Sequence, residues 1–211
     1  MKIIPGWMLA ACAVLALAGC GGAKKDSGKV VEGENISKNP LGVLGQAVKA
    51  GQDFERIQKE LENMKPAEPV HFSELIKFLP EPQSGWEGPA PRGSSNQVGD
   101  WSFTEVERQY TQGDKRIEIQ ILDWAFHKEL YAAFFVAAGF SQETTEGYNK
   151  GIKIGDDPGR EEYNNAGKEG TLSLLVGKRF FVTVKGNNVD AAELRQWLDR
   201  VNTNGLRAKA A

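Results

Sequence analysis

The chain has 211 residues, with 26 Lys or Arg against 28 Asp or Glu and a formal charge of −2. Its 40% apolar and 26% charged residues are the balance of a folded globular protein rather than a disordered one. A near-neutral charge without a dense basic stripe excludes nucleic acid as the main partner, because phosphate binding needs clustered cations. The two cysteines, Cys12 and Cys20, both lie in the first tenth of the chain, which excludes a disulfide framework or a zinc site.

Met1 to Gly19 holds one cation, Lys2, and then an apolar stretch from Ile3 to Leu17. Broken by Pro5 and Gly6, that stretch is short for a spanning helix of about 20 residues but suits the apolar core of a secretory signal. It closes with Leu17-Ala18-Gly19-Cys20, followed by Gly21 and Gly22. This run resembles the lipobox of bacterial lipoproteins: a branched apolar residue, two small residues and an obligatory cysteine. The resemblance implies thioether lipidation of Cys20, cleavage after Gly19 and acylation of the new amino terminus. Small side chains at 18 and 19 let an extended backbone enter a narrow peptidase cleft, and the Cys20 thiol is a soft nucleophile for alkylation with diacylglycerol. Each buried acyl methylene contributes about 0.8 kcal/mol, so two or more chains hold firmly where one is marginal. Cys12 leaves with the signal. In enterobacterial lipoproteins an aspartate after the lipidated cysteine favours the inner membrane. With Gly21 in that place, the resemblance implies the periplasmic face of the outer membrane where the source has two membranes.

Residues 20–40 show no apolar periodicity and read as a lipid-anchored flexible tether, with a root-mean-square reach of roughly 25 Å. Lys24, Lys25 and Lys29 are offset by Asp26, Glu32 and Glu34, which suits a solvated linker. Over 41–65 the pattern becomes helical: Val43, Ala47, Ala50, Phe54, Ile57, Leu61 and Met64 recur at alternating steps of four and three. Such a stripe serves a helix–helix seam, self-association included, or a helix folded back on its own domain. Pro66 and Pro69 end it.

Residues 66–100 read as a short helix and a loop. Phe72, Leu75, Ile76 and Leu79 mark the helix. The stretch 80–100, with four prolines and four glycines around Trp86, reads as a loop. Trp86 is either a partner-binding side chain or a plug at the edge of the core. The domain proper spans 101–205. Trp101–Thr111 and Arg116–Asp123 are predicted as a hairpin, with Ile117, Ile119 and Ile121 on one face. Asp123 is expected to cap a helix reaching Ala138. Weaker strands follow at 143–154 and 160–166, around the turn Gly155–Gly159. Thr171–Val176 and Arg179–Lys185 form the clearest hairpin, turning at Gly177-Lys178, with Leu172, Leu174, Val176, Phe180, Val182 and Val184 inward. A capping box, Asp190 to Glu193, opens a last helix whose apolar face is Leu194, Trp197, Leu198 and Val201.

The fold class is therefore α+β: an N-terminal helical segment, then an antiparallel sheet of about five or six strands, with the helices 124–138 and 190–202 covering its apolar face. This order is loosely similar to the sandwich of photosystem-associated PsbP-type and nuclear-import-factor domains, though no residue motif carries that analogy. The layout also resembles uncharacterised bacterial lipoproteins, through a helical stalk, Leu79-Pro80 and Gly85-Trp86 ahead of a small sheet domain. That resemblance implies no activity.

Chemistry-bearing patterns are sparse. His71 and His127 lack metal-ligand spacing, and His127, beside Lys128 and Glu129, reads as a solvated surface histidine. No nucleophile elbow or phosphate-cradling glycine loop occurs. Asp156, Asp157, Glu161 and Glu162 cluster around Pro158-Gly159, where aspartates serve a turn and the alternating ligand spacing of a calcium loop is missing. Leu130–Phe140 runs eleven residues without a charge, too short to cross a bilayer. It is either a buried helix or one side of a groove, with Tyr131 and Phe135 facing a lipid or an apolar partner segment.

These observations predict a lipid-anchored cell-envelope protein with a non-enzymatic interaction or accessory domain and with no catalytic residue, metal or cofactor. Its expected partners are the membrane, through Cys20, and an envelope protein. The alternative is a binding module for a lipid or other apolar small molecule. Trp86, Tyr131 and Phe135 form the candidate binding patch.

Overall fold

The computed structural model describes Lys59, residues 61–138 and residues 141–211. The signal segment expected over 1–19, the tether expected over 20–40 and most of the helix expected over 41–65 lie outside the described residues. Of that helix, 61–63 are helical, and Leu61 and Met64 pack against the domain that follows.

A short helix, α1 (Phe72–Leu75), runs on into a 3₁₀ turn, Ile76–Phe78. Its N-terminus is capped by His71, whose Nδ1 accepts the Ser73 N–H (3.3 Å). Eight strands follow, broken by one helix. They are β1 (Arg92–Val98), β2 (Trp101–Gln112), β3 (Lys115–Asp123), then helix α2 (Lys128–Ala138), then β4 (Gln142–Thr144), β5 (Gly147–Ile154), β6 (Asp157–Asn164), β7 (Glu169–Val176) and β8 (Phe180–Asn187). Two helices close the chain, α3 (Ala191–Asp199) and α4 (Thr203–Ala210). All eight strands form one antiparallel sheet in the order β1-β2-β3-β8-β7-β6-β5-β4. It is a three-stranded meander and a five-stranded meander, joined where β8 returns beside β3.

The sheet is thus larger than the five or six strands expected. One added strand is β1, inside the presumed loop. Its sequence, RGSSNQV, lacks apolar alternation, and every residue of it but the half-buried Asn96 is exposed. Another comes from the stretch 143–154, which splits into β4 and β5 around Thr145-Glu146. The turn expected over Gly155–Gly159 shrinks to Gly155-Asp156. Pro158 lies inside β6, opposite Lys153. The hairpin of β7 and β8 follows the expected pattern. Gly177 (φ 58°) and Lys178 (φ 60°) both take the left-handed conformation that matches a two-residue turn to the twist of its strands.

Strand alternation settles which layer lies where. Ile117, Ile119, Ile121, Leu172, Leu174, Val176, Phe180, Val182 and Val184 share one face and are buried to the last atom. They pack with Leu75, Leu79, Trp86, Leu194, Trp197, Leu198, Val201 and Leu206. Each such aliphatic side chain contributes about 1.5–3 kcal/mol by leaving water. The other face carries Leu122, Leu175 and Phe181, which meet Trp124, Tyr131 and Phe134 at α2. The two covering helices therefore lie on opposite faces of the sheet, not on one as expected. The hydrophobic periodicity of a helix shows that it covers a sheet but not which side.

On the first face α3 descends onto bare backbone. Gly170 and Gly186 are opposite each other on β7 and β8. A Cβ on Gly186 would stand 2.3 Å from Val189 Cγ2 and 2.6 Å from Leu194 Cδ2, and one on Gly170 would stand 2.6 Å from Leu194 Cδ1. Glycine at both sites makes the dent that Leu194 fills. Asp190 caps α3 as expected, accepting the Glu193 N–H (2.7 Å). The Glu193 carboxylate completes no box and instead accepts from Lys115 Nζ on β3 (2.9 Å).

Asp123 does not cap α2, which begins only at Lys128. Its carboxylate is fully buried and is taken up by four donors. Arg179 gives Nε to Oδ1 and Nη2 to Oδ2 (2.9 Å each), Val70 N–H reaches Oδ2 (2.7 Å) and Ala125 N–H reaches Oδ1 (2.9 Å). Arg179 also donates to the Glu68 carbonyl (2.8 Å). This clasp joins β3, the start of β8 and the segment before α1. Next to it, Ala125 (φ 49°) and Phe126 (φ 60°) are consecutive left-handed residues with side chains, a conformation that costs about 1 kcal/mol or more at each.

Candidate functional site

On the α2 side the sheet is apolar only at one end. Away from Leu122, Phe181 and Leu175 the same face turns polar, and paired residues run across it in rows. One row is Asn149, Glu162, Thr171, Lys185, Glu118 and Gln109, on β5, β6, β7, β8, β3 and β2. The next, two residues along each strand, includes Asn164, Glu169, Asn187 and Arg116. Directly opposed residues share a face of the sheet, so these side chains converge although they are distant in sequence.

Between β5 and β8 these rows enclose an open cleft of about 460 Å³, lined by Asn149, Glu162, Asn164, Glu169, Thr171, Lys185 and Asn187. That volume lies within the range of small-ligand sites. Lys185 Nζ donates to Glu118 Oε1 (3.3 Å), and Gln109 Nε2 donates to Glu118 Oε2 (3.2 Å). Arg160 Nε donates to Glu162 Oε1 (2.6 Å). The Asn149 carboxamide oxygen is shielded from water and has no hydrogen-bond partner. The cleft thus offers amide, hydroxyl, carboxylate and ammonium groups, which can hold a polar ligand or a polar segment of another chain.

The opposite face also has a buried polar group. Glu161, fully buried, accepts from the Tyr148 hydroxyl and from Arg195 Nε (3.0 Å) and Nη2. Burial pushes the Tyr148 phenol up from its ordinary value, and its hydrogen bond to Glu161 pushes the same way. The hydrogen bond to Glu161 raises the Arg195 guanidinium as well. Glu161 thereby ties β5 and β6 to α3. Asp157, also buried, accepts from Gly177 N–H (3.0 Å) and Arg207 Nε (2.7 Å), and so ties β6 and the β7–β8 turn to α4.

The acidic cluster seen in the sequence is thus dispersed. Asp157 and Glu161 face α3 and α4, Glu162 faces the cleft, and Asp156 is exposed beside Lys153 (3.5 Å). Among the described residues no three of His, Cys, Asp and Glu come together as a metal site. His127 is buried rather than solvated, with its ring stacked on Trp101 at 4.9 Å.

The three residues of the predicted patch do not meet in one place. Trp86 is buried in the α3-side core, edge-on to Trp197 at 5.0 Å. Tyr131 is buried in the α2-side cluster and packs against the half-buried Phe135 at 4.8 Å. Gly19 and Cys20 lie outside the described residues. The cleft itself escaped sequence reasoning because its residues sit at alternate positions on four strands. In a single sequence they read as an ordinary solvent face. The local signal is that Thr171, Ser173, Thr183 and Lys185, on the face of the β7–β8 hairpin away from its apolar α3-side set, are polar, while Leu175 and Phe181 at the turn end of that face are not.

Among the described residues no helix is long and apolar enough to cross a membrane. Comparison of the chain with protein-family models, with curated proteins and with solved structures yields no match in any of the three.

Proposed function

We propose that this chain is a lipid-anchored cell-envelope protein whose sheet domain is a non-enzymatic interaction module, held at the periplasmic face of an outer membrane by acyl chains on Cys20. The observation that carries the reading is the lipobox, Leu17-Ala18-Gly19-Cys20, at the end of a short apolar core. The fold supports it from the other end of the chain. The polar half of the sheet, with its cleft, presents hydrogen-bonding groups at fixed spacing on rigid strands, which suits recognition of a polar surface.

The test is fractionation of cells expressing the chain with Cys20→Ser. The wild-type protein sediments with membranes and the variant appears in the soluble fraction. Mass spectrometry of the wild-type protein finds an amino terminus at Cys20 carrying acyl mass. Retention of the serine variant in membranes, or an unmodified wild-type thiol, overturns the anchor.

A further inference from the structure

We propose that the cleft between β5 and β8 is a binding site for a neutral saccharide, its hydroxyls held by the row Asn164, Glu169 and Asn187. This rests on the reading of the sheet domain as an interaction module and names what the module takes; it does not depend on the anchor. Asn164 and Glu169 are opposed on β6 and β7, and Glu169 and Asn187 on β7 and β8. A carboxylate thus stands between two carboxamides on three adjacent strands, spaced about 4.8 Å apart. All three side chains are exposed. The Asn164 carboxamide oxygen accepts the Gly167 N–H (2.8 Å), which fixes the group and leaves its NH₂ to donate to a ligand. Among the described residues the side chains of Glu169 and Asn187 have no hydrogen bond or ion pair.

Each hydroxyl of a sugar both donates and accepts, so neighbouring hydroxyls need an acceptor and a donor side by side. Glu169 is the acceptor, with two oxygens, and the two asparagines put donors on either side of it. Thr171, half-buried on the adjacent row, adds a hydroxyl. Other ligand classes lack what they need here. Tyr148 and Tyr163 reach the cleft only through their backbone. Their side chains lie on the α3 face, where their hydroxyls donate to Glu161 and to the Val189 carbonyl. An apolar ligand would desolvate the polar lining without return. Glu162 is compensated by Arg160 (2.6 Å) and Lys185 by Glu118 (3.3 Å), so no accumulation of charge selects an ion. β6, β7 and β8 are flanked on both sides in the sheet. Their N–H and C=O groups are spent on the ladder, and an extended peptide finds no strand to join. A cleft of about 460 Å³ has the size of a small-ligand site.

Hydrogen bonds in an open cleft are individually weak, so the test uses a dense display on which many contacts act together. The purified full chain, labelled with a fluorophore in a mild detergent, is applied to a glycan microarray carrying neutral and acidic oligosaccharides. Retention on a subset of the neutral glycans is expected, and it stays the same from about 0.1 M to about 1 M sodium chloride, because salt screens ionic attraction. Glu169→Ala is expected to lower that retention about tenfold, the loss of hydrogen bonds to a charged acceptor. Asn187→Ala is expected to act in the same direction, and both variants, changed at exposed positions, keep the wild-type melting temperature. Retention of no glycan overturns the proposal. Binding confined to acidic glycans, binding lost in the higher salt, and binding that both variants preserve overturn it equally. A chain anchored through Cys20 that retains no glycan loses this inference alone, and one that retains neutral glycans without being anchored loses the anchor alone.

Discussion

Removing the Asp123 carboxylate would leave Arg179 buried without its partner and strip the acceptor from the Val70 and Ala125 N–H groups. Breaking a buried pair from one side costs about 3–5 kcal/mol, so Asp123→Ala should lower the urea midpoint steeply at little change in slope. An unchanged midpoint would show the clasp to be dispensable. The tyrosines give a second residue-scale test. Burial pushes the phenols of Tyr110, Tyr148 and Tyr163 up, so the folded state favours their neutral forms. That stabilisation is complete below the ordinary tyrosine pKa of about 10 and is lost as pH climbs toward the raised folded-state values. In an alkaline titration, tyrosinate absorbance of the native protein should lag behind that of the urea-unfolded chain. Coincident curves would contradict it. Asp123 also shows where local reading ends. Ahead of an apolar run it has the look of a helix cap, and only the arrival of Arg179, 56 residues later, takes its oxygens away.

At the scale of elements, what was legible in the sequence followed from strong local periodicity. The β2–β3 and β7–β8 hairpins lie where alternation and two-residue turns put them, and α3 begins at its capping aspartate. Asp190→Ala should cost about 1 kcal/mol, read as a lowered melting temperature, because the Glu193 N–H loses its acceptor. A melting temperature equal to wild type would deny the cap its role. β1 and β4 were not legible. Neither strand buries a face, so neither has an apolar alternation to detect, and each exists because a neighbouring strand offers it a ladder. α4 was missed for a related reason: Leu206 is its sole fully buried side chain, and Asn202, accepting the Gly205 N–H (2.9 Å), starts it anew after α3.

For the whole molecule, the order of the strands sets the order of stability. β3, β8 and β7 are flanked on both sides, and their inward residues are buried completely. Backbone amides of Ile117–Ile121 and Val182–Val184 should therefore exchange with solvent deuterium slowest, near the global unfolding limit, and those of the edge strand β4 fastest. Uniform protection across the sheet would refute this gradient. The same order builds the candidate cleft, since only the return of β8 to β3 and the stacking of β5 to β7 beside it align Asn149, Thr171 and Lys185 in one row. The hydroxyl, amide and ammonium groups concerned are ordinary surface residues until those four strands meet.

The amino-acid sequence by itself determined the β2–β3 and β7–β8 strand alternation, the apolar face of α3 and the tight turns, because each depends on residues a few positions apart whose chemistry acts locally. Tertiary structure alone decided which face of the sheet each helix covers, that two segments without apolar alternation become its edges, and where the polar rows converge. Those outcomes rest on hydrogen-bonded ladders between strands tens of residues apart, and the period-two pattern of a strand is the same whichever side its neighbours approach from.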